Sequence, residues 1–521
     1  MTQRILIADT LDPAGLAVFQ QAGVEVHQLT AEERPRLAEI VADFDALVVR
    51  SSTQATAELL RAGKRLKVVG RAGIGVDNVD VAAATELGIL VVNAPTANLM
   101  SATEHTFALL LSLARRVPEA DASTKAGGWD RKITGIELQG KTLGVIGFGR
   151  IGQRVADRAR GFEMKVVAYD PFLDPAAARR LDVELLPLEE LLARADMITL
   201  HVPMTDQTRN LLNRETLAKM KKGALLVNCA RGGVVDESAL LESLEAGHLG
   251  GAALDVFAEE PPKDLSLVRH KKVVATPHLG AQTKEAQERI SLETAQMVLD
   301  SLAGSLAVAA VNLPFRPTGG KAEPFMSLAE TLGCMAYSLL DAPPQRLRVD
   351  VWGLDESLQA PVTVAALRGV LKPFLGEAVN FVNAERVAEG RGIEVVRSTH
   401  SAGEYPHLID VTLSGGGRSV QLGGTLFGDR DPRVVRFENY RLEFRPEGNL
   451  LVLENQDRPG VVGKVGTLLA EADVNIADIH LARRGEEALA VLRLDQEPTE
   501  ALLEKLKALP EVKSARRAVL G

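Results

Sequence analysis

Eleven residues, Thr142-Leu-Gly-Val-Ile-Gly147-Phe-Gly149-Arg-Ile-Gly152, constrain this chain more than any other segment. A short apolar run feeds directly into a G-x-G-x-x-G turn, and the turn opens a helical pattern. That order is the arrangement that cradles the pyrophosphate of a dinucleotide. Gly147 is expected to permit the tight turn, Gly149 to let backbone amides approach the phosphates, and Gly152 to let the helix pack closely on the strand. The helix N-terminus, with free amides and the positive end of its dipole, attracts the negative charge. Glycine is abundant here, at 45 residues, so the turn by itself is weak evidence and its context carries the argument. The next apolar run, Met164-Lys-Val-Val-Ala-Tyr, ends in Asp170, near the spacing at which a carboxylate holds the ribose hydroxyls. An aspartate there repels a 2′-phosphate, and Pro171-Phe172 supplies no arginine to accept one, so NAD is expected rather than NADP.

The chain has 521 residues, 46% hydrophobic and 25% charged, enough for three or four globular domains. With a net charge of −9 and no dense Lys/Arg tract, it lacks the footprint of a nucleic-acid-binding protein. The start, Met1-Thr-Gln-Arg-Ile-Leu-Ile-Ala-Asp, reads as a first strand rather than an export signal. No apolar run approaches membrane-spanning length, so a cytoplasmic protein is expected. The two cysteines, Cys229 and Cys334, exclude a disulfide framework, a four-thiolate zinc site and a cysteine-ligated iron–sulfur cluster, and both are expected in the core.

Apolar, often β-branched runs at Ile5-Leu-Ile-Ala, Ala46-Leu-Val-Val, Lys67-Val-Val-Gly and Leu90-Val-Val-Asn alternate with helix-like segments, the pattern of a parallel α/β sheet. This unit ends near Pro95, and a helical stretch from Ser101 to Arg116 leads into the dinucleotide unit. Later strands of that second unit are expected at Met197–Val202, Ala224–Asn228, Gly251–Asp255 and Val273–Thr276. Two open parallel-sheet domains, Rossmann-like or flavodoxin-like, therefore follow one another. Such sheets bind ligands at the carboxyl ends of their strands. Turn formers at Pro314-Phe-Arg-Pro-Thr-Gly-Gly320 mark a linker, after which a mixed α+β region precedes a compact β-α-β-β-α-β order from Leu450 to Leu520, which is ferredoxin-like.

Three side chains stand at strand-end loops of the second unit: Arg231, Glu260 and His278. Oxidising an alcohol to a ketone needs hydride transfer and loss of the hydroxyl proton, and a histidine suits the proton. Glu260 would bond its other nitrogen, fixing the tautomer and favouring the imidazolium that forms. The Arg231 guanidinium would grip a substrate carboxylate and polarise the adjacent carbonyl in the reverse direction.

Asn228-Cys-Ala-Arg231-Gly-Gly, the Asp255–Pro262 segment and Thr276-Pro-His278 with Gly280-Ala281 resemble the signatures of the D-isomer-specific 2-hydroxyacid dehydrogenases. Arg71-Ala-Gly-Ile-Gly-Val-Asp-Asn-Val-Asp and the two C-terminal regions resemble the long branch of that family. The resemblance implies NAD-dependent oxidation of 3-phospho-D-glycerate to 3-phosphohydroxypyruvate, the first step of L-serine biosynthesis. A glyoxylate or hydroxypyruvate reductase of the same class, or a non-catalytic NAD-sensing regulatory protein, is the alternative. The resemblance further implies that Arg231, Glu260 and His278 are catalytic and that Asp255 lies near the nicotinamide amide. Arg150, Ile151, Val202, Cys229, Ala230, Leu279, Gly280 and Ala281 would line the NAD site with Asp170 and the glycines. Arg50, Arg71, Ile74, Gly75 and Asn98 would come from the first unit and contact substrate, with Arg50 a candidate phosphate ligand. Arg131, in Gly128-Trp-Asp-Arg-Lys, would serve a neighbouring subunit of a homodimer or homotetramer.

By the same resemblance the domains run 1–97 plus 285–312 for substrate binding, 98–284 for NAD, 315–445 for an intervening domain and 449–521 for an ACT regulatory domain. Asp457 and Asn475 would bind an amino-acid effector such as serine across a pair of ACT domains. Alternatively that unit only mediates oligomers, and Asp457 caps the helix after Pro459.

Overall fold

The computed structural model describes residues 2–305, 309–317 and 320–520, so Thr318 and Gly319 of the turn-rich linker lie outside the described residues. The first sheet has five parallel strands in the order Glu25–Gln28, Arg4–Ile7, Ala46–Val49, Val68–Arg71, Leu90–Asn93. The second has seven parallel strands, ordered Val273–Ala275, Gly251–Leu254, Leu225–Asn228, Met197–Leu200, Thr142–Ile146, Lys165–Tyr169, Glu184–Leu185. Helices cover both faces of a parallel sheet, so its inner strands are apolar without alternation, as in the uniformly buried Ala46–Val49 and Leu225–Asn228. The strand order reverses between Thr142–Ile146 and Met197–Leu200, the kind of switch point where open sheets bind ligands.

Two long helices pass between these units. Leu99–Arg115 lies against the second sheet, where Phe107, Leu110 and Leu113 share a core with Leu143 and Val145. Lys284–Leu302, capped by the Thr283 hydroxyl accepting from the Ala286 amide, returns to the first sheet, where Ile290, Ala295 and Val298 pack with Ile5 and Phe19. The chain thus crosses between the two sheets twice, leaving a cleft between their carboxyl ends. Farther on, Asn312 secures the exit from the first unit: its Oδ1 accepts from the Val91 amide at 2.9 Å and its Nδ2 donates to the Ile89 carbonyl at 2.9 Å.

The third unit places helices Glu323–Leu340 and Gln359–Leu375 on a six-stranded mixed sheet. The fourth is an antiparallel sheet in the order Ile476–Arg484, Glu487–Leu494, Gly448–Gln456, Val512–Leu520, with helices Val461–Glu471 and Glu500–Lys507 on one face. Its other face is not open: Leu450, Val452, Leu489 and Val491 join Phe437 and Phe444 of the third unit in one continuous core. The third unit touches the first through Asn380, whose Nδ2 donates to the Gly88 carbonyl at 2.7 Å. Among the described residues no helix is long and apolar enough to cross a membrane.

The helix Pro13–Gln21 can approach Lys284–Leu302 closely because Gly15 lacks a side chain; a Cβ there would lie 2.2 Å from Ser291 Oγ and 2.7 Å from Ser291 O. Backbone cannot yield as a flexible side chain can, so Gly15→Val should destabilise the first unit by about 2–3 kcal/mol. A lowered melting temperature checks this, and an unchanged one would show that the helices separate without cost.

Candidate active site

The glycine turn answers to simple sterics. Gly147 has φ +89°, in the left-handed region, and a Cβ on it would lie 2.6 Å from the His201 carbonyl oxygen across the switch point. A Cβ on Gly152 would lie 2.2 Å from the Gly147 carbonyl oxygen, so helix Arg150–Gly161 sits hard against the turn. Gly149 is the N-terminal cap of that helix, and an added Cβ there would meet nothing within 4 Å. The cradle therefore suits a dinucleotide pyrophosphate. Asp170 follows the next strand and is tied to the turn, its carboxylate accepting from the Phe148 and Phe172 amides at 2.9 Å each. Arg150 is exposed at the helix start, with Nη1 3.5 Å from the Pro95 carbonyl oxygen.

Most of the other expected residues converge on one cleft of about 570 Å³ between the two sheets, while the exposed Leu279 does not line it. From the second unit come Ile151, Val202, Cys229, Ala230, Arg231, Asp255, Glu260, His278, Gly280 and Ala281; from the first come Arg50, Arg71, Ile74 and Gly75, and Asn98 stands at the start of the helix Leu99–Arg115 that links the two. Asn98 Oδ1 is buried without a hydrogen-bond partner, an acceptor left available to a ligand.

His278 Nδ1 lies 2.7 Å from Glu260 Oε2. Burial works to raise the Glu260 pKa, but hydrogen bonds from His278 and the Phe257 amide win and hold it below the usual carboxylate value. An ionised carboxylate only accepts, so Nδ1 carries the hydrogen and the Nε2 lone pair is left to take a proton. His278 itself has φ +56°, uncommon for a residue with a side chain. A single buried carboxylate maintains that conformation. Asp255, with no exposure, accepts from His105 Nε2 at 3.0 Å, Thr276 Oγ1 at 2.6 Å, the Leu279 amide at 2.7 Å and the Gly280 amide at 2.8 Å, and its carbonyl accepts from the His278 amide at 2.9 Å. Burial opposes its ionisation, and these donors keep its pKa below the ordinary aspartate value all the same.

Arg231 of the second unit meets Arg50 and Arg71 of the first across the cleft. Burial, then the Arg231 charge, and also that of Arg50, push the Arg71 guanidinium down to about 10 against the opposing pull of Asp77. Three guanidinium groups sharing one cleft favour an anionic occupant. Asp9, almost fully buried, shapes the turn that carries Arg50 by accepting from the Arg50 and Thr53 amides at 2.7 and 3.1 Å. His201, pushed down to about 4 by burial, is neutral near physiological pH.

His105, Thr276, Asp77 and Asp9 were not singled out from the sequence. Asp9 lies two residues past the first strand, a position that could have signalled it; His105 and Thr276 touch the site only through Asp255, across long sequence separations. Two expectations need revising, the full burial of the cysteines and the Asp457 cap, whereas Arg131 and the effector pair were expected to act across subunits and their positions do not contradict that. Arg131 lies on an exposed segment outside this cleft. Neither cysteine is fully buried, and Cys229 lines the cleft. Asp457 does not cap the helix: Gly460 does, without a side-chain hydrogen bond, and Asp457 instead pairs with Arg483 at 3.4 Å. Asn475 stands beyond the other end of that helix, donating to Asp495 at 2.7 Å, so the two expected effector ligands do not meet within one chain.

Known proteins extend this picture. Residues 107–280 match the family described as D-isomer specific 2-hydroxyacid dehydrogenase, NAD binding domain; residues 321–438 match the D-3-phosphoglycerate dehydrogenase intervening domain, and 449–511 the ACT domain. A protein of Thermus thermophilus superposes with TM-score 0.55 at 39% identity, covering 59% of this chain and 100% of its own. The D-lactate dehydrogenase of Aquifex aeolicus, solved with NAD and lactic acid, gives 0.53 at 32% identity over 58% of this chain and 96% of its own. Fold and site together define an NAD-dependent D-2-hydroxyacid dehydrogenase. Over its whole length the chain is similar to the D-3-phosphoglycerate dehydrogenases of Methanocaldococcus jannaschii, 43% identical over 98% of each chain, and Bacillus subtilis, 40% identical over 98% of this chain and 99% of that one. It belongs to the D-3-phosphoglycerate dehydrogenase family.

Burial, and then the Asp255 charge, push the Cys229 thiol up to about 12, and burial raises Cys334 as well. Thiolate is the reactive form, so at pH 8 iodoacetamide should leave Cys229 unmodified in the folded protein and alkylate it after denaturation. Stoichiometric labelling of the native protein, read by mass spectrometry, would contradict this.

Proposed function

We propose that the cleft oxidises 3-phospho-D-glycerate at C2 to 3-phosphohydroxypyruvate with NAD, supplying the first step of L-serine biosynthesis. The observation that carries this reading is the His278–Glu260 pair at 2.7 Å facing three arginines in the cleft that adjoins the glycine turn. NAD, when bound, supplies the acceptor for the hydride leaving C2. His278 Nε2 takes the hydroxyl proton, and Glu260 stabilises the imidazolium that results. Arg231 grips the substrate carboxylate, and Arg50 with Arg71 receives the phosphate. Asp255 holds the His278–Gly280 loop in register, and Asn98 Oδ1 accepts from substrate or cofactor. Asp170 binds the ribose hydroxyls. The cleft closes over the substrate by rotation about the two crossings between the sheets, expelling water from the reacting atoms.

The domain division follows from the same reading: 1–97 with 285–312 binds substrate, 98–284 binds NAD, 315–445 intervenes and 449–521 regulates. The ACT unit takes an amino-acid effector, serine in this reading, with Asp457 and Asn475 drawn from different copies in a homo-oligomer. Their separation along one chain supports a shared rather than an internal site. Arg131 then acts in the neighbouring copy.

Incubation of the pure protein with NAD and a panel of 2-hydroxy acids, with and without a phosphate group, tests the reading, and a preference for unphosphorylated acids would overturn it. Glu260→Gln keeps the hydrogen bond but removes the charge, so kcat should fall on the order of 100-fold with the KM for NAD little changed; an undiminished kcat removes Glu260 from its role. Arg50→Ala should raise KM for 3-phospho-D-glycerate about tenfold or more while affecting D-glycerate much less. Equal losses on both would argue against a phosphate contact.

A further inference from the structure

Arg231, which the proposed function assigns to the substrate carboxylate, already holds a carboxylate of the chain itself. Its Nε donates to Asp77 Oδ2 at 2.9 Å, and Asp77 comes from the first unit, on the opposite side of the cleft. The segment bearing Asp77 is fixed on both sides. Asn78 Nδ2 donates to the Thr53 carbonyl at 2.6 Å, the Ala55 amide to the Asn78 carbonyl at 2.8 Å, and the Val79 amide to the Val76 carbonyl at 2.9 Å. The ion pair is seated against bare backbone, since a Cβ on Gly75 would lie 1.8 Å from Arg231 Nη2 and 2.6 Å from Asp77 Oδ2. Asp9, the other acid near the arginines, is committed to the Arg50 turn and to Arg34. Asp77, more than half exposed, is therefore the anion that a ligand can displace.

We propose that Asp77 is a built-in competitor for Arg231: its carboxylate stands where the substrate carboxylate must go, and productive binding requires the exchange of one for the other. This rests on the assignment of Arg231 made above. A ligand with two anionic ends offsets the lost ion pair, placing a carboxylate on Arg231 and a phosphate at Arg50 and Arg71. A ligand with a phosphate alone binds at Arg50 and Arg71 and leaves the Asp77 pair in place. Asp77 thus sets a threshold that every carboxylate entering the site must cross, and the phosphate held at Arg50 and Arg71 helps a doubly anionic acid to cross it. The pair is partly solvated, so the threshold is modest, about fivefold in affinity for the doubly anionic acid.

The test is equilibrium binding of 3-phospho-D-glycerate to the full-length protein with NADH, a combination that does not turn over. Asp77→Asn should tighten that binding about fivefold, and the same substitution in an Arg231→Gln background should have little effect, because the competition runs through Arg231. Asp77→Ser, expected to behave alike, guards against a folding defect in the first variant, with melting temperature measured for both. Unchanged or weaker binding in a variant of normal melting temperature overturns the proposal, as does equal tightening in both backgrounds. If Arg231→Gln alone leaves the affinity unaltered, the assignment of Arg231 fails instead, a result distinguishable from failure at Asp77.

Discussion

A carboxylate sealed from water must be compensated on nearly every lone pair or it will not stay charged. Asp255 meets that demand with four donors and, in doing so, draws together a helix that begins the second unit, the end of one of its strands and the loop bearing His278. The loop has no regular hydrogen-bonding ladder of its own, so its left-handed histidine persists because the surrounding bonds leave it no alternative. The His278 imidazole is thereby positioned by the sheet framework.

Charge is handled differently on the two sides of the cleft. On the histidine side an acid is paired with a base and each carboxylate is kept ionised by direct donors. On the arginine side cations accumulate beyond what neighbouring acids neutralise, and burial makes that accumulation costly enough to depress Arg71. Such a cleft favours anionic occupants.

Much of this was legible in the sequence because parallel strands and their carboxyl-end loops announce themselves. Buried central strands such as Val68–Arg71 and Met197–Leu200 stand out as apolar runs, and the glycine turn has steric requirements that few other residues satisfy. The edge strands Glu25–Gln28 and Glu184–Leu185 were not read: an edge is half solvated, and their Glu, His and Gln content carries no apolar run. His105 was hidden for another reason. It lies 150 positions from Asp255, and nothing in a helical heptad distinguishes a histidine that reaches a buried acid from one that merely faces solvent. The Asp457 cap failed because glycine at 460, with φ +91°, already starts the helix.

The two C-terminal units look separable along the chain, with a turn at Arg445–Gly448 between them, yet their sheets share one apolar layer. Excising the last unit would strip the cover from Phe437 and Phe444 and present the newly bared patch to solvent, where such surfaces self-associate. A shortened enzyme made by cutting there would report on a damaged scaffold, not on the loss of a sensor. Severing before Glu323 instead keeps that hydrophobic seam whole, enclosed within the released C-terminal half.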